Sequence, residues 1–240
     1  MRRINLMDPI TVLKDRAEVR VNDFVRSVYN WMCIGLAVTG FISYYIAGNE
    51  TVLKMIFANR AVFWILVIAE LGLVFAISGM INRMSAATAT GLFVLYSALN
   101  GATLSFIFIV FTASSIASTF FICAATFLAC SLFGWATKRD LTSAGSFFRM
   151  GLFGIIIASV INIFLKSSAL NMIISYIGVI VFVGLTAYDT QKIKDMAMSQ
   201  PDGLDGAVIR KGAILGALTL YLDFINLFIM LLQIFGQRRD

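Results

Sequence analysis

The chain has 240 residues, of which 60% are hydrophobic and only 13% are charged, and its mean hydropathy is +0.89. Soluble domains carry about 25% charged residues, so this composition excludes an ordinary soluble enzyme. The sequence contains no histidine, which also excludes histidine-based zinc sites, Ser/His triads and the side chain that usually titrates near neutral pH. Any chemistry must therefore use carboxylates, lysine, arginine, amides or the backbone.

Seven apolar runs are long enough to cross a bilayer, whose hydrocarbon core of about 30 Å requires roughly 20 residues of helix. Short connections separate the runs, so consecutive helices must be antiparallel. The sequence therefore predicts an all-α integral membrane protein, with a single seven-helix transmembrane domain over residues 28–240. The predicted spans are Val28–Ala47, Ala61–Asn82, Ala86–Phe111, Ile116–Ala136, Phe147–Leu165, Asn171–Tyr188 and Ala213–Phe235.

Residues 1–27 are polar and lack the apolar stretch and cleavage site of a secretory signal. We predict a cytoplasmic N-terminal arm, which could form a surface helix, followed by a retained first span. The charged side chains of this arm allow two interpretations, a docking site for a partner protein or a solvated amphipathic tail. The charged residues in question are Asp15, Arg16, Glu18 and Arg20.

The distribution of lysine and arginine predicts that the N-terminus is cytoplasmic, because cytoplasmic loops carry an excess of these residues. The net charge of +6 then needs no nucleic-acid partner. Seven full crossings would leave Arg238 and Arg239 outside, whereas a half-length or re-entrant last segment would bring them inside. The charge distribution does not decide between these two possibilities.

The three cysteines, Cys33, Cys123 and Cys130, all lie within predicted spans. Thiols without histidine or further cysteine ligands make a poor metal site. Buried cysteine usually behaves as a small apolar residue, so we interpret all three as packing residues.

Three acidic residues lie within or at the end of predicted spans: Glu70, Asp189 and Asp223. A charge at the centre of a membrane helix costs about 2.5–3.5 kcal/mol, so each carboxyl must face the bundle interior, find a partner or hold a proton. Asn226 lies three residues after Asp223 and therefore on the same helix face. These positions are the candidate functional residues.

Each acid also has a structural interpretation. Glu70 could be a hydrogen-bonded packing residue, and Asp189 an interfacial acid anchored by Lys192. If Asp189 instead meets Asp223, the two carboxylates must share a proton and form a titrating switch. Their depths agree better if the last helix first runs through cytoplasm and enters the membrane near Leu218, which favours a half-length last segment.

Two motifs carry a family resemblance: Gly-Leu-Thr-Ala-Tyr-Asp-Thr-Gln at 184–191 and Tyr-Leu-Asp-Phe-Ile-Asn-Leu-Phe at 221–228. They resemble the signature pair of the Bax inhibitor-1 family, also called the transmembrane Bax inhibitor motif family, and the long N-terminal tail resembles its bacterial members. The resemblance implies a seven-helix bundle whose last helix is wrapped by the first six. It also implies a pH-sensitive calcium leak, with roles in calcium homeostasis and in suppressing stress or cell death.

Residue by residue, the resemblance implies that Asp189 and Asp223 form the gating pair and that Arg83 latches Asp189. Glu70 and Asn226 would line the ion pathway, and Glu70 with both aspartates would bind calcium weakly. Calcium is then the transported ion rather than a cofactor. We expect a monomer whose partners are calcium ions, protons and the lipid bilayer, located in a bacterial inner membrane.

Two other functions compete with the channel. Members of this family have also been viewed as regulators of membrane-bound proteases or stress pathways, so an interaction protein is the alternative. An intramembrane aspartyl protease is disfavoured because Asp223 lies between Leu222 and Phe224, without the neighbouring glycine that such sites use. We therefore expect that the protein is not an enzyme.

Overall fold

The computed structural model describes the backbone of residues 9–201 and 203–239, with side chains from residue 19 onward. Residues 1–8 and the side chains of Asp15, Arg16 and Glu18 lie outside the described part, and so does the docking hypothesis built on them. A single 3₁₀ turn, Ile81–Arg83, follows the third helix. The α-helices of the described part are α1 (Pro9–Ala47), α2 (Glu50–Phe57), α3 (Arg60–Met80), α4 (Ala86–Leu104), α5 (Ile107–Val110), α6 (Ala113–Ala136), α7 (Thr142–Leu165), α8 (Ser168–Met198) and α9 (Gly206–Phe235).

Seven of these helices are long and apolar enough to cross a membrane, as the sequence predicts: α1, α3, α4, α6, α7, α8 and α9. Large apolar side chains cover the outside of the bundle. Phe75 on α3 is 72% exposed and Phe164 on α7 is 81% exposed, which is stable only against lipid. The prediction of an all-α, multi-pass membrane protein is confirmed.

The last helix, α9, occupies the centre of the bundle. In its most apolar stretch of 18 residues, 67% of the residues are buried, which is a larger share than in any other span of the described part. It packs against α8, α1, α6, α4 and α3, while α7 lies mainly against α8. A helix that is apolar on all sides is stable in this position because other helices cover every face, and the predicted central last helix is confirmed.

The first helix passes residue 28, the predicted start of the membrane domain, without a break. Phe24 is buried against Gly212 of α9, and Val28 is buried against Gly216. Residues 19–27 therefore form part of the bundle wall rather than a separate segment. The sequence pattern predicts too late a start for the membrane domain, because most side chains in this segment are polar and only a few apolar ones face α9.

The bundle has two ends, which we name by their loops. The N-terminal end carries residues 81–85, 137–141, 199–201 and 203–205, and the C-terminal end carries residues 105–112, 166–167 and 236–239. At the C-terminal end the backbone amide of Thr112 donates to Gln237 (3.0 Å), and that of Arg239 donates to Val110 (2.8 Å). Since α9 thus runs from one end to the other, the half-length last segment favoured by the acid depths is wrong.

The reason for that error lies in the turns of α9 that precede Leu218. Ala213, Ile214 and Ala217 are fully buried, so these turns belong to the bundle core and do not extend alone into water. A helix that is longer than the bilayer is thick can still cross it completely when other helices bury its extra length.

Helices α6 and α7 pack at very short range against α8, the helix that carries the first motif. A β-carbon at Gly134 of α6 would collide with the backbone carbonyl of Ala187, and one at Gly145 of α7 would collide with the ring of Tyr188. Both glycines let their helices approach α8 where the motif begins, and small residues allow such close approach between membrane helices. The position of Asp189, two residues after Ala187, is therefore fixed from two sides.

Candidate functional site

Helices α8 and α9 bring Asp189 and Asp223 together. The two carboxyl groups are in hydrogen-bonding contact and both are buried, with 9% and 5% of their surface exposed. Among the residues that the structure describes, Asp223 Oδ2 has no hydrogen-bond partner. A carboxylate only accepts hydrogen bonds, so a bond between two carboxyl groups requires a proton on one of them.

The cations that act electrostatically on Asp189 are Lys192 of α8 and Arg149 of α7. The guanidinium of Arg149 lies 5.1 Å from the ring centre of Tyr188, the residue next to Asp189. Arg83 is exposed, and no ion pair in the described part of the chain joins it to Asp189. The latch therefore remains a prediction, and Arg149 is a neighbour that sequence reasoning missed.

The two motif residues that follow Asp189 tie α8 to its surroundings. The hydroxyl of Thr190 lies 3.2 Å from that of Tyr29 on α1 and donates to Ser131 on α6 at 3.4 Å. The amide of Gln191 accepts from and donates to the backbone of the loop 139–141, both at 2.8 Å. The polar end of the first motif thus holds α1, α6 and that loop around the aspartate pair.

Glu70 lies half-buried in the middle of α3, within a second group of polar side chains. Its carboxylate accepts from Asn100 Nδ2 (3.1 Å) and from Thr103 Oγ1 (2.9 Å), both on α4. Asn100 Oδ1 in turn accepts from the hydroxyl of Tyr221 on α9 (3.0 Å), which lies 2.6 Å from Thr39 Oγ1 on α1. Sequence reasoning missed these partners, although Tyr221 opens the second motif.

The remaining candidates are not drawn into a single site. The amide of Asn226 donates to the carbonyl of Leu222 in its own helix at 2.8 Å and does not bond to Asp223. No group of three or more acidic or cysteine side chains in the described part could hold a metal ion. Glu70 and the aspartate pair are therefore separate sites rather than one set of calcium ligands.

All three cysteines are free. Cys123 is fully buried, and its thiol donates to the carbonyl of Phe224 at 3.7 Å. This weak hydrogen bond joins α6 to α9 next to Asp223, which agrees with a packing role for this residue.

Comparison with known proteins decides the family. The family described as "Inhibitor of apoptosis-promoting Bax1" matches residues 21–240. The chain belongs to the Bax inhibitor-1 family.

Relatives within the Bax inhibitor-1 family resemble the chain over nearly its whole length. The inner membrane protein YbhL of Escherichia coli strain K12 is 53% identical over 229 residues, 95% of this chain and 97% of that protein. An uncharacterised protein of Borreliella burgdorferi is 46% identical over 232 residues, 96% and 99% of the two chains. Another from Rickettsia prowazekii is 45% identical over 217 residues, 90% of each.

Both motifs of the Bax inhibitor-1 family meet in one place in this structure. The first lies on α8 around Asp189 and the second on α9 around Asp223, and the two aspartates form the contact between them. The other motif side chains pack the neighbouring helices against this contact. The buried carboxyl pair is therefore the candidate functional site.

Proposed function

We propose that this member of the Bax inhibitor-1 family is a pH-sensitive calcium leak gated by Asp189 and Asp223. The observation that carries the proposal is the buried contact between these two carboxyls. Two neighbouring carboxylates in a low dielectric cannot easily both ionise, so the contact depends on a shared proton. Proton concentration then controls how α8 holds the central helix.

Gating follows from the charge of Asp189. With one shared proton the pair carries a single negative charge, which Arg149 and Lys192 stabilise, and α7, α8 and α9 stay closed. A second proton removes that charge and its attraction to both cations, so α8 and α9 can separate. Arg83 takes part as a latch only when the turn at 81–85 approaches Asp189.

The open path would pass Glu70 and Asn226 as well as the aspartate pair. Calcium takes six to eight oxygen ligands, and each of these places offers only a few carboxylate, amide or hydroxyl oxygens. Weak separate sites suit conduction, because tight binding would prevent release. In this proposal calcium is cargo, and the protein has no resident cofactor and catalyses no reaction.

The proposed setting is the bacterial inner membrane, with the N-terminal end of the bundle facing the cytoplasm and the protein acting as a monomer. Two observations support it. The Escherichia coli relative is named an inner membrane protein, and loop cations such as Lys138 and Arg139 cluster at the N-terminal end.

The test is calcium flux into proteoliposomes as a function of pH. We expect several-fold faster flux on acidification of the wild type and a flat pH profile for Asp223→Asn, which cannot share a proton in the same way. Asp195→Asn is the matched control, because it makes the same change at an exposed position of α8. An Asp223→Asn variant with the wild-type pH profile would contradict the proposal.

A second candidate function is favoured by a cavity at the N-terminal end. It has a volume of about 840 Å³ and lies between α1, the end of α6, the end of α8 and the linker 199–205, with Trp135 and Lys194 in its wall. A membrane-protein partner, such as a protease that this protein regulates, would bind in this cavity and would contact the N-terminal residues of α1.

Truncation separates the two candidates. Deleting residues 1–18 stops before Phe24, whose burial the bundle needs, so the variant should keep the fold. A channel should retain its flux after this deletion, whereas a regulator should lose its partner in a pull-down. Loss of flux with an intact fold would argue against an independent pore.

A further inference from the structure

A chain of side-chain hydrogen bonds crosses the bundle from α3 to α1 by way of the central helix. Asn100 lies 3.1 Å from Glu70 and 3.0 Å from the Tyr221 hydroxyl. Tyr221 lies 2.6 Å from Thr39 Oγ1, which lies 2.8 Å from the carbonyl of Ser97. Tyr221, Thr39 and Ser97 are each at most 3% exposed, so water does not replace any of these contacts.

Counting hydrogens shows that this chain is one proton short when Glu70 is ionised. The contacts of Asn100 with Tyr221, Tyr221 with Thr39 and Thr39 with Ser97 need three protons. The two hydroxyl groups supply one proton each. While the amide NH₂ of Asn100 points at Glu70, one of the three contacts must therefore lack a hydrogen.

A neutral Glu70 completes the chain. If the amide of Asn100 turns by half a rotation, its oxygen and nitrogen exchange places with almost no change in shape. Glu70 then donates to Asn100, Asn100 to Tyr221, Tyr221 to Thr39, and Thr39 to the carbonyl of Ser97. Each of the four contacts then has its own proton, and every hydrogen bond points from Glu70 towards the carbonyl of Ser97.

We propose that the Tyr221 hydroxyl changes its hydrogen-bond partner when Glu70 gains or loses its proton, because the direction of this hydrogen-bond chain then reverses. Tyr221 thereby couples the protonation state of Glu70 to α9, on which it lies, and to α1. Tyr221 donates to Asn100 when Glu70 is ionised and to Thr39 when Glu70 is neutral. It acts as a positioning residue. The inference rests on the proposed function only in that it connects an acid of the ion pathway to the helix that carries Asp223.

The surroundings of Glu70 leave few other groups to set its charge. The titratable side chains that interact with it electrostatically are Tyr96 on α4 and Tyr221 on α9. The rings of Phe93 and Tyr96 pack edge-on against Tyr221, with centroids 5.9 and 5.6 Å away, and fix the position of its hydroxyl. The other charged groups on the elements packed against α3 are of two kinds. Glu50, Lys54 and Arg83 are exposed. Arg210, Lys211 and the buried Asp223 lie on α9, and none of these described side chains acts electrostatically on Glu70.

The experiment is an infrared pH titration of purified protein with isotope-labelled tyrosine in lipid nanodiscs, without a calcium gradient. The C–O band of a tyrosine differs between hydrogen-bond donor and acceptor states. We expect the Tyr221 band, assigned by its loss in Tyr221→Phe, to change together with the carboxyl band of Glu70. Tyr45→Phe, at an exposed site of α1, should remove a band that does not follow Glu70.

Two variants make the direction testable. Glu70→Gln donates permanently to Asn100, so the Tyr221 band should keep its low-pH form at every pH. Thr39→Val removes the acceptor at the far side, so the band should keep its high-pH form.

A Tyr221 band that still titrates in Glu70→Gln, or one that stays constant while wild-type Glu70 titrates, would overturn the proposal. The proposed function is tested separately. A protein that shows the reversal but leaks no calcium disproves the channel alone, whereas a pH-gated leak without the reversal disproves the coupling alone.

Discussion

Side chains on three helices determine how readily Asp189 ionises. Asp223 comes from α9, Lys192 from its own helix and Arg149 from α7. A buried carboxyl held in this way responds to any change in its neighbours, because in a low dielectric each charge acts strongly on the others. The identity of the cation that restrains Asp189 therefore decides at which pH the proposed gate responds.

Replacing the two candidate arginines separately identifies that cation. Arg149→Gln removes a cation that acts on Asp189 in this structure, so the leak should activate at a higher pH. The shift should be small, because Arg149 is exposed and water screens its charge. Arg83→Gln should leave the profile unchanged, because Arg83 has no ion pair with Asp189 here. Calcium flux against pH in proteoliposomes measures both variants, and an effect of Arg83→Gln alone would restore the predicted latch.

At this scale the sequence predicts the acids but not their partners. Glu70, Asp189 and Asp223 stand out because a carboxyl in an apolar helix is costly wherever it points. Arg149 is missed because its position beside Tyr188 depends on how α7 packs on α8. The hydrogen-bond network around Glu70 is missed for the same reason, since Thr39 and Thr103 are ordinary residues of membrane helices until the fold brings them near this acid.

Helix α6 packs very closely against α8 near the site, and Gly134 makes this approach possible. Gly134→Ala forces a methyl group against the backbone carbonyl of Ala187, which should destabilise the fold by about 1–3 kcal/mol. Gly154→Ala is the matched control, because a β-carbon at Gly154 meets nothing within 4 Å. Thermal unfolding in detergent should show a lower midpoint for Gly134→Ala alone, and equal midpoints would contradict the close packing.

The start of α7 provides a second test at the level of the element. Asp140 accepts a hydrogen bond from the backbone amide of Thr142 at 2.8 Å. Hydrogen bonds from the side chain and backbone of Thr142 hold the pKa of Asp140 below its ordinary value. Because this pKa is lowered by folding, the stabilisation is present above the unfolded pKa and is lost as pH falls through the folded one.

We therefore expect Asp140→Asn, which keeps an oxygen acceptor that does not titrate, to lose less stability than the wild type below about pH 4. Thermal unfolding midpoints measured as a function of pH compare the two proteins. In the Asp195→Asn control, the replaced side chain makes no such hydrogen bond in the described part, so this variant should retain the wild-type pH dependence. Parallel curves for wild type and Asp140→Asn would show that the Asp140–Thr142 hydrogen bond does not contribute.

The elements themselves were largely predictable. Seven spans follow from apolar length, and their limits in the structure differ from the predicted ones mainly at the N-terminal end, where α1, α8 and α9 are longer. The sequence hides these extra turns because only one face of each is apolar. The glycine pairs 151/154 and 212/216 suggest close packing, and Gly151, Gly212 and Gly216 do lie close to a neighbouring helix, whereas Gly154 faces open space. The sequence does not single out Gly134 and Gly145, which make tighter contacts.

For the whole molecule, α9 ends at the end of the bundle opposite to the one where α1 begins, so seven complete crossings would place the two ends of the described chain on opposite sides of the membrane. Single cysteines in a background without the native three can test this with a membrane-impermeant thiol reagent on intact cells. Thr51→Cys and Arg238→Cys, both exposed at the C-terminal end, should be labelled, and Lys138→Cys should be protected. Equal labelling at positions 138 and 238 would mean that α9 does not cross.

The central position of α9 also has a consequence for biogenesis, because this helix is synthesised after the six other spans. It supplies Asp223 to Asp189, the Tyr221 hydroxyl to Asn100, and Gln233, whose Oε1 accepts from Asn171 at 3.1 Å. Until it inserts, the six earlier spans hold these polar groups in the bilayer without their partners, at a cost of several kcal/mol each. Until α9 has been synthesised and inserted, the membrane therefore contains only an unstable six-span precursor.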